Sequence, residues 1–357
     1  MTEDRFVPTV GFVLAGFGLA AGLLPWTSLV ARGPVESVPG VAFGLLALAG
    51  FAGRRYGVRD RRLTLAAGLG AAGLTVAASA TILHPTATAE GIGAGAVLGF
   101  LLGVVTLGVA VADYLALGRA AFLRRAHLAT GAFLVGVTGL FVGVVFSMVS
   151  YVAFPTAGAI ATSGIGTAAF SIGLAAVAVG YLKVTDRDWS YVDLAWPTRR
   201  GWLYVIGGTV GMFLILGALG LLSQVLGLPS AEHGIIEQAR GQPALLLAFV
   251  PLSWLLIGPG EELLSRNIVQ KHLYDGFSRA SSVLVGTAVF AAIHLPAYAT
   301  GPPPAVFATL VQLFGISLVL GVVYERTENL VVPALVHGTY NAVQFAAAYV
   351  AITTGIL

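Results

Sequence analysis

Residues 244–266 read ALLLAFVPLSWLLIGPGEELLSR, an apolar run that changes abruptly to two adjacent carboxylates. The run from 244 to 260 approaches the roughly 20 apolar residues that a membrane-spanning helix needs, and we expect the helix to continue into the polar stretch. Its charged side chains would then lie at membrane depth, where ionisable groups are costly and tend to be functional. This stretch therefore predicts both the class of the fold and the place of its site.

The composition of the whole chain is that of a membrane protein. Its 357 residues are 57% hydrophobic and 10% charged, with a mean hydropathy of +0.90, whereas a soluble domain carries about 25% charged residues. This excludes a soluble enzyme, a nucleic-acid-binding protein, a disordered chain and a collagen-like fibre. The absence of cysteine excludes disulfides, thiolate nucleophiles and cysteine-ligated metals.

Eleven apolar segments predict an all-α, polytopic membrane fold. The segments are 7–30, 38–53, 63–83, 92–112, 128–153, 157–182, 202–223, 244–260, 281–299, 304–324 and 330–356. If they alternate from a cytoplasmic N-terminus to a C-terminus outside, every Lys and Arg except Arg32 and Arg240 lies on the cytoplasmic side. That is the distribution that the positive-inside rule describes. The predicted location is the cell membrane, with membrane lipid as a partner.

Three regions of the chain differ in character. They are an N-terminal six-helix membrane block of unknown role at 1–182, a charged and aromatic cytoplasmic linker at 183–201, and a core at 202–357. The core carries the polar groups at membrane depth, with its motifs between 244 and 345. The sequence thus predicts a functional C-terminal part preceded by an added block.

Glycine recurs every four residues within the N-terminal block. The positions are Gly91, Gly95, Gly99 and Gly103. Such a stripe could line a pore, but no acceptor or charge accompanies it. Small residues at this spacing are typical of closely packed membrane helices, and we predict close packing here.

Polar motifs occur in three of the predicted spans. They are EELLSR at 261–266, FAAIH at 290–294 and HGTYN at 337–341. Counted from the basic residue at the predicted cytoplasmic end of each helix, their reactive groups lie about 15–22 Å deep at 1.5 Å per residue. Because the depths agree, we expect the three motifs to meet in one site.

Spacing assigns different tasks to neighbouring residues. Side chains four residues apart share a helix face, so Glu262 and Arg266 should form an ion pair, and His337 and Asn341 should point the same way. Glu261 is turned about 100° from Glu262 and cannot perform the same task. We interpret Glu261 as the reactive carboxylate and the Glu262–Arg266 pair as its brace.

These motifs match, in order, the EExxxR, FxxxH and HxxxN signatures of a known family. The chain resembles the CPBP intramembrane proteases, the CAAX-processing and bacteriocin-processing (Abi) family, which are relatives of the Rce1-type prenyl-protein endopeptidases. The resemblance covers about residues 244–345, and Glu325-Arg326-Thr327 also looks like the family. Ser265 and Asn267 depart from the aromatic residue and the glycine that the family often has there. Residues 202–357 are accordingly expected to be a CPBP-type protease core.

The resemblance implies an endopeptidase that hydrolyses a peptide bond near the C-terminus, or in a membrane-proximal part, of a protein or peptide substrate that can be lipidated. The implied catalytic residues are Glu261, His294, His337 and Asn341, with Glu262, Arg266 and Phe290 in support. Glu261 and His294 would activate a water molecule, and His337 with Asn341 would donate hydrogen bonds to the oxyanion.

Two kinds of chemistry stay open for this site. A glutamate and two histidines could bind a catalytic zinc, whose ligands would be Glu261, His294 and His337. The preferred prediction is a glutamate-dependent reaction with no cofactor, because the resemblance extends to glutamate-dependent Rce1-type enzymes.

Other intramembrane protease classes lack their motifs here, since the chain has no HExxH, no GxSG and no GxGD. Two non-proteolytic functions remain alternatives: a proton-coupled transporter and a non-catalytic immunity-type scaffold. A transporter is disfavoured because the polar residues form one cluster and the two halves of the chain are not matched repeats. The remaining histidines, which we expect to be solvated, are His84, His127, His233 and His272.

Overall fold

The computed structural model describes residues 5–27, 38–84 and 92–356. Within these ranges the regular elements are helices, which confirms the all-α, multi-pass fold. Eight helices are long and apolar enough to cross a membrane, namely Phe6–Leu23, Arg61–Ile82, Ala94–Tyr114, Arg119–Ala153, Ala159–Val184, Arg199–Val225, Ala244–Leu273 and Pro303–Thr327. The count of eleven spans and the orientation of the two ends stay predictions.

The chain divides into two compact units. The first comprises 1–126, 226–230 and 301–308, and the second comprises 127–225, 231–300 and 309–357. The helices of the first are α1 (Phe6–Leu23), α2 (Val38–Arg55), α3 (Arg61–Ile82) and α4 (Ala94–Tyr114). Gly95 and Gly103 on α4 confirm the close packing expected of the glycine stripe, since an added Cβ would lie 2.6 Å from Trp26 and 2.4 Å from Thr75. Gly91 and Arg32 lie outside the described residues.

The second unit contains the motif-bearing helices. In chain order they are α5 (Arg119–Ala153, from residue 127 onward), α6 (Ala159–Val184), α7 (Arg199–Val225), α8 (Gly234–Ala239), α9 (Ala244–Leu252), α10 (Gly258–Glu262), α11 (Lys271–Leu273), α12 (Arg279–Ile293), α13 (Leu295–Tyr298), α14 (Pro303–Thr327, from residue 309 onward) and α15 (Val331–Thr354). Two π-helical segments, Ser253–Ile257 and Leu263–Gln270, join α9, α10 and α11 into one continuous helical rod. The rod extends beyond residue 260 into the polar stretch, as expected.

Proline shortens two of the predicted spans. The first was expected to reach residue 30, but α1 ends at Leu23, because Pro25 favours extended backbone at Leu24 (ψ 159°). The ninth was expected to reach residue 299, but α12 ends at Ile293. Pro296 has no N–H with which to continue the helix, so the chain turns at His294 and forms the short α13 instead.

The boundary predicted at residue 182 stays a prediction, while the compact units follow the packing of the helices. From residue 127 onward, α5 belongs to the second unit, where Leu128 and Ala132 pack against Val269 of the rod. Leu182 of α6 packs against Ile268 of the same rod. The two helices adjoin the polar motifs because their apolar faces cover the rod, which hydropathy alone does not show.

The connection between α6 and α7, predicted to be a linker, is fastened to the second unit. The Asp193 carboxylate accepts hydrogen bonds from Lys271 Nζ at 2.8 Å and from the Tyr324 hydroxyl. The backbone N–H of Asp193 donates to Asn267 Oδ1 at 2.9 Å, and the Tyr191 carbonyl accepts from Asn267 Nδ2 at 3.2 Å. Asn267, where the resembled family often has glycine, thus binds this connection from both sides.

Candidate active site

The first motif lies where the rod departs from regular α-helical geometry. Pro259 cannot donate a backbone hydrogen bond to the preceding turn, and π-helical segments flank α10 on both sides. Widened turns of this kind are frequent at functional sites. Glu261 and Glu262 end α10, just before the second π-helical segment begins.

Glu262 is the fully buried carboxylate of the two. Its Oε2 accepts a hydrogen bond from Arg266 Nε at 3.0 Å, and both side chains have 0% exposure, so the expected ion pair is present. Arg266 Nη2 also donates to the Ser317 hydroxyl on α14 at 2.7 Å. The other oxygen of Glu262, Oε1, accepts from His337 Nδ1 at 2.9 Å. Each carboxylate oxygen therefore has its own donor, which offsets part of the cost of burying the charge.

Glu261 faces the two histidines of the other motifs. Its Oε2 lies 3.5 Å from His294 Nε2 and 3.9 Å from His337 Nε2. The side chains of Glu261 and His294 are each 20% exposed, whereas that of His337 is 7% exposed. The rod, the turn after α12 and α15 thus each bring one reactive group to the same place, as the similar depths of the motifs predicted.

The protonation of His294 follows from its partner. Its Nδ1 lies 2.7 Å from the Phe290 carbonyl, and because a carbonyl can only accept, Nδ1 carries the proton. In the neutral ring, Nε2 is then an acceptor that faces Glu261. The Phe290 ring lies against the His294 ring, with their centroids 4.2 Å apart. The Arg266 guanidinium lies 5.1 Å from the centroid of the Phe290 ring. Phe290 therefore fixes the histidine through both its carbonyl and its ring.

Two glycines allow α15 to approach the rod closely. A Cβ at Gly258 would lie 2.6 Å from the Ala334 carbonyl oxygen, and one at Gly338 would lie 2.7 Å from the Ser253 carbonyl oxygen. Both distances are too short for a side chain. The approach places His337, the neighbour of Gly338, within hydrogen-bonding distance of Glu262.

Asn341 follows His337 by one turn of α15, and its side chain is half-buried. Within the described part of the chain it makes no hydrogen bond to another residue. Its amide is therefore available to a ligand. The structure brings Glu261, His294 and His337 together and leaves Asn341 on the helix that carries His337.

Sequence reasoning missed His233, which was expected to be solvated. Its Nδ1 accepts a hydrogen bond from the Ile235 N–H at 3.2 Å, and its ring meets that of Tyr298 edge to face at 5.3 Å. Burial lowers the pKa of His233 to about 4. The ring is half-buried rather than solvated, because it packs against Tyr298 and its Nδ1 is bound at the start of α8.

His272 was also expected to be solvated, and it too has a protein partner. Its Nδ1 lies 3.0 Å from the Tyr181 hydroxyl, and its Nε2 is buried. An added Cβ at Gly131 of α5 would lie 3.1 Å from that Nε2. His272 is therefore partly covered, because Tyr181 of α6 and Gly131 of α5 pack against it. His127 on α5 is exposed, as expected.

Within the described ranges, no group of three or more His, Asp or Glu side chains is arranged to hold a metal ion. Glu261 Oε2 lies 3.5 Å from His294 Nε2 and 3.9 Å from His337 Nε2, and a reaction without a metal stays a prediction. The proposed chemistry is derived from the side chains of Glu261, His294 and His337.

Residues 243–343 match the family model described as type II CAAX prenyl endopeptidase Rce1-like. The matched range contains the three motifs and confirms the resemblance expected from them. No curated protein and no solved structure matches the chain. The family match supports a protease of the CAAX-processing type that acts on a protein or peptide and resides in a membrane.

Proposed function

From the Rce1-like match over residues 243–343, we propose that the chain is a glutamate-dependent intramembrane endopeptidase of the cell membrane, with its N-terminus in the cytoplasm. Its substrate would be a protein or peptide cleaved near a lipidated C-terminus or close to the membrane. The observation that carries the proposal is the convergence of His294 and His337 on the Glu261 carboxylate, with their Nε2 atoms 3.5 and 3.9 Å from its Oε2.

The pairing of Glu261 with His294 supports activation of water. Nε2 of the neutral His294 ring and Oε2 of Glu261 are both acceptors and lie 3.5 Å apart. Two acceptors at this distance can each take one hydrogen of the same water molecule, which orients its oxygen lone pair toward the substrate. Glu261 then accepts a proton from the water as its oxygen adds to the carbonyl carbon.

The third motif supplies donors for the oxyanion that forms. His337 donates through Nδ1 to Glu262, and a second proton at Nε2 would make it a cation beside two carboxylates and the Arg266 guanidinium. That state leaves the four groups with no net charge, which favours it at membrane depth. The Nε2–H of His337 and the amide of Asn341 would then stabilise the oxyanion.

Collapse of the tetrahedral intermediate completes the reaction. The carbonyl re-forms, the C–N bond breaks, and the proton held by Glu261 passes to the leaving nitrogen. The products are a carboxylic acid and an amine, as in any hydrolysis of a peptide bond. Glu261 returns to the carboxylate form without any other reactant, so the cycle closes on the residues of the site.

A cleavage assay with purified protein in lipid vesicles tests the proposal. The probe is a fluorogenic peptide that ends in a CAAX tetrapeptide with a prenylated cysteine, compared with the same peptide without the prenyl group. We expect cleavage by the wild type and none by Glu261→Ala. Intact peptide with wild type would favour a non-catalytic scaffold or a transporter, and equal cleavage of both peptides would remove lipidation from the proposal.

Native substrates are tested separately in cells. Membranes of a strain that lacks the chain are compared after complementation with wild type or with Glu261→Ala. We expect C-terminal peptides of one or a few membrane proteins to disappear only with the wild type. Identical peptide sets in the two complemented strains would contradict the proposed activity.

A further inference from the structure

Two fully buried side chains of the rod each have one polar atom without a protein partner. These atoms are Arg266 Nη1 and Gln270 Oε1, and both residues have 0% exposure. Within the described part of the chain, neither atom makes a hydrogen bond to another residue. Buried polar atoms are as a rule hydrogen-bonded, either to protein or to ordered water. A donor and an acceptor on the same rod therefore call for one common ligand.

The orientation of the Gln270 amide follows from its other partners. Its nitrogen Nε2 lies 3.1 Å from the Gly321 carbonyl oxygen and 2.9 Å from the Tyr274 hydroxyl. A carbonyl can only accept, so the atom that faces Gly321 must be the nitrogen. The Tyr274 hydroxyl donates to Glu325 Oε2 at 2.9 Å and accepts from the same nitrogen. Oε1 of Gln270 is thus an acceptor, whereas Arg266 Nη1 can only donate.

Both atoms lie beside the same glycine of α14. A Cβ at Gly321 would lie 3.1 Å from Gln270 Oε1 and 3.5 Å from Arg266 Nη1. It would also lie 2.9 Å from Val283 Cγ1 of α12, and Gly321 is itself buried. The donor and the acceptor therefore meet at one buried place between the rod, α12 and α14, where glycine adds no side chain of its own.

Water is the ligand whose chemistry fits this pair of atoms. A metal cation would be repelled by the Arg266 guanidinium, and an anion would be repelled by the Gln270 carbonyl oxygen. A water molecule can accept from Nη1–H through its oxygen and donate one of its own hydrogens to Oε1. Buried waters in proteins typically bridge otherwise unsatisfied polar groups in this way.

We propose that the second unit binds one buried water between Arg266 Nη1 and Gln270 Oε1, beside Gly321. The water completes a hydrogen-bond chain whose protein members are, in order, Glu262, Arg266, Gln270, Tyr274 and Glu325. The Glu325 side chain is 21% exposed. The chain therefore leads from the buried ion pair of the first motif to the edge of the protein, at the segment 325–327. This inference does not rest on the proposed protease activity, because it concerns only buried hydrogen bonds.

Radiolytic footprinting with mass spectrometry tests for the water directly. Hydroxyl radicals formed from a bound water modify the side chain beside it, even where bulk solvent does not reach. Val283 lies at the proposed site and is 4% exposed, whereas Val332 is 0% exposed and packs in an apolar cluster of α7, α14 and α15. We expect Val283 to be oxidised several-fold faster than Val332 in wild-type protein in lipid vesicles. Equal oxidation of the two valines would overturn the inference.

A hydroxyl placed beside the two atoms tests their hydrogen bonds. Gly321→Ala displaces the water and leaves both atoms unpaired, whereas the hydroxyl of Gly321→Ser can accept from Arg266 and donate to Gln270. The close contact of the added Cβ with Val283 is the same in both variants and cancels in the comparison. In an SDS titration we expect the unfolding constant of Gly321→Ala to be about tenfold larger, the effect of one hydrogen bond to a charged group. Oxidation of Val283 should also fall in Gly321→Ala.

Gly217→Ala and Gly217→Ser are the matched control pair on α7. Nothing lies within 4 Å of the added Cβ at Gly217, so serine should be the less stable of the two, by about twofold, through its lower helix propensity. The order is expected to reverse at Gly321. If serine is the less stable residue at both positions, the inference is overturned. If neither Gly321 variant folds, footprinting of the wild type decides.

Discussion

Nδ1 of His337 lies 2.9 Å from Oε1 of Glu262, which joins the third motif to the buried carboxylate of the first. The other oxygen of Glu262 accepts from Arg266 Nε at 3.0 Å. Sequence spacing predicted the bond to Arg266 but not the bond to His337. Glu262 therefore braces the rod and also fixes the ring that faces Glu261.

Glu262→Gln is expected to unfold more easily than wild type. A carboxylate offers one oxygen to each donor, but the amide has one oxygen and would turn its N–H groups toward either Arg266 or His337. The loss of a buried charge partner costs about 3–5 kcal/mol. Melting in detergent should show a clearly lower transition temperature. An unchanged melting temperature would contradict the assignment of Glu262 as a structural brace.

The double variant Glu262→Gln with Arg266→Met is the matched comparison. Removal of the guanidinium leaves no unpaired buried charge, so part of the lost stability should return. Recovery will be incomplete, because Ser317 loses the donor that lies 2.7 Å away in the wild type. If the double variant is less stable than Glu262→Gln alone, the ion pair does not account for the cost.

Glu261→Gln is expected to be folded and inactive. Glu261 is partly exposed to the site and its contacts to the histidines are 3.5 and 3.9 Å long, so the isosteric amide should change stability little. The amide cannot accept a proton, and loss of a general base lowers the rate by about 10²–10⁴. Single-turnover cleavage and a melting curve measure the two effects. Glu237→Gln, an exposed position of α8, is the control and should have wild-type activity.

Periodicity and spacing predicted the parts of this protein that local chemistry determines. The apolar segments predicted helices, and the spacing of Glu262 and Arg266 predicted their ion pair, because neighbours four residues apart share a helix face. The similar depths of the motifs predicted that Glu261, His294 and His337 would meet. Each of these inferences needs only the geometry of a single helix and the thickness of a membrane.

Contacts between elements distant in sequence were not predictable in the same way. His233 packs edge to face against Tyr298 of α13, and nothing in its immediate sequence marks that contact. Asp193 is held by Lys271 and Tyr324, although a charged stretch between apolar segments is ordinarily solvated. The boundary at residue 182 followed hydropathy, whereas the compact units follow which helix faces pack together.

Gly338→Ala is expected to lose stability and activity together. Its Cβ would lie 2.7 Å from the Ser253 carbonyl oxygen and 2.9 Å from Trp254 Cδ1, so α15 must move away from the rod. Overpacking of this kind costs about 1–3 kcal/mol, and the movement would lengthen the bond between His337 and Glu262. Melting and cleavage assays measure both losses.

Gly217→Ala on α7 is the control for that substitution. Nothing lies within 4 Å of its added Cβ, so the variant should be slightly more stable by about 0.5–1 kcal/mol, with unchanged activity. If Gly338→Ala behaves like Gly217→Ala, close approach of α15 is not required for the site.

Chelation is expected to leave activity intact. The proposed reaction uses Glu261 and His294 for water activation, so exhaustive treatment with a chelator should not lower the cleavage rate. Elemental analysis of active, purified protein should find less than one zinc per chain. Activity that is lost on chelation and restored by zinc would instead favour a metalloprotease with Glu261, His294 and His337 as ligands.

Asn267→Ala is expected to release the connection between α6 and α7 without inactivating the site. The Asn267 side chain is fully buried, accepts from the Asp193 N–H at 2.9 Å and donates to the Tyr191 carbonyl at 3.2 Å. Alanine removes both bonds, together with the one that Asn267 Oδ1 accepts from the Tyr324 hydroxyl at 3.2 Å, and unsatisfied buried backbone groups cost about 1–3 kcal/mol. Local opening should then free the backbone at Lys183 and Arg187, whose side chains are exposed and half-buried, for cleavage by trypsin.

Limited proteolysis in detergent measures this opening directly. We expect Asn267→Ala to be cut after Lys183 or Arg187 several-fold faster than wild type, because cleavage follows the population of the opened state. Gln238→Ala, which removes an exposed amide from α8, should be cut at the wild-type rate. Cleavage of peptide substrate per folded molecule should change little, since Asn267 contacts neither Glu261 nor the histidines. Equal trypsin rates for Asn267→Ala and wild type would show that Lys271 and Tyr324 hold Asp193 without help from Asn267.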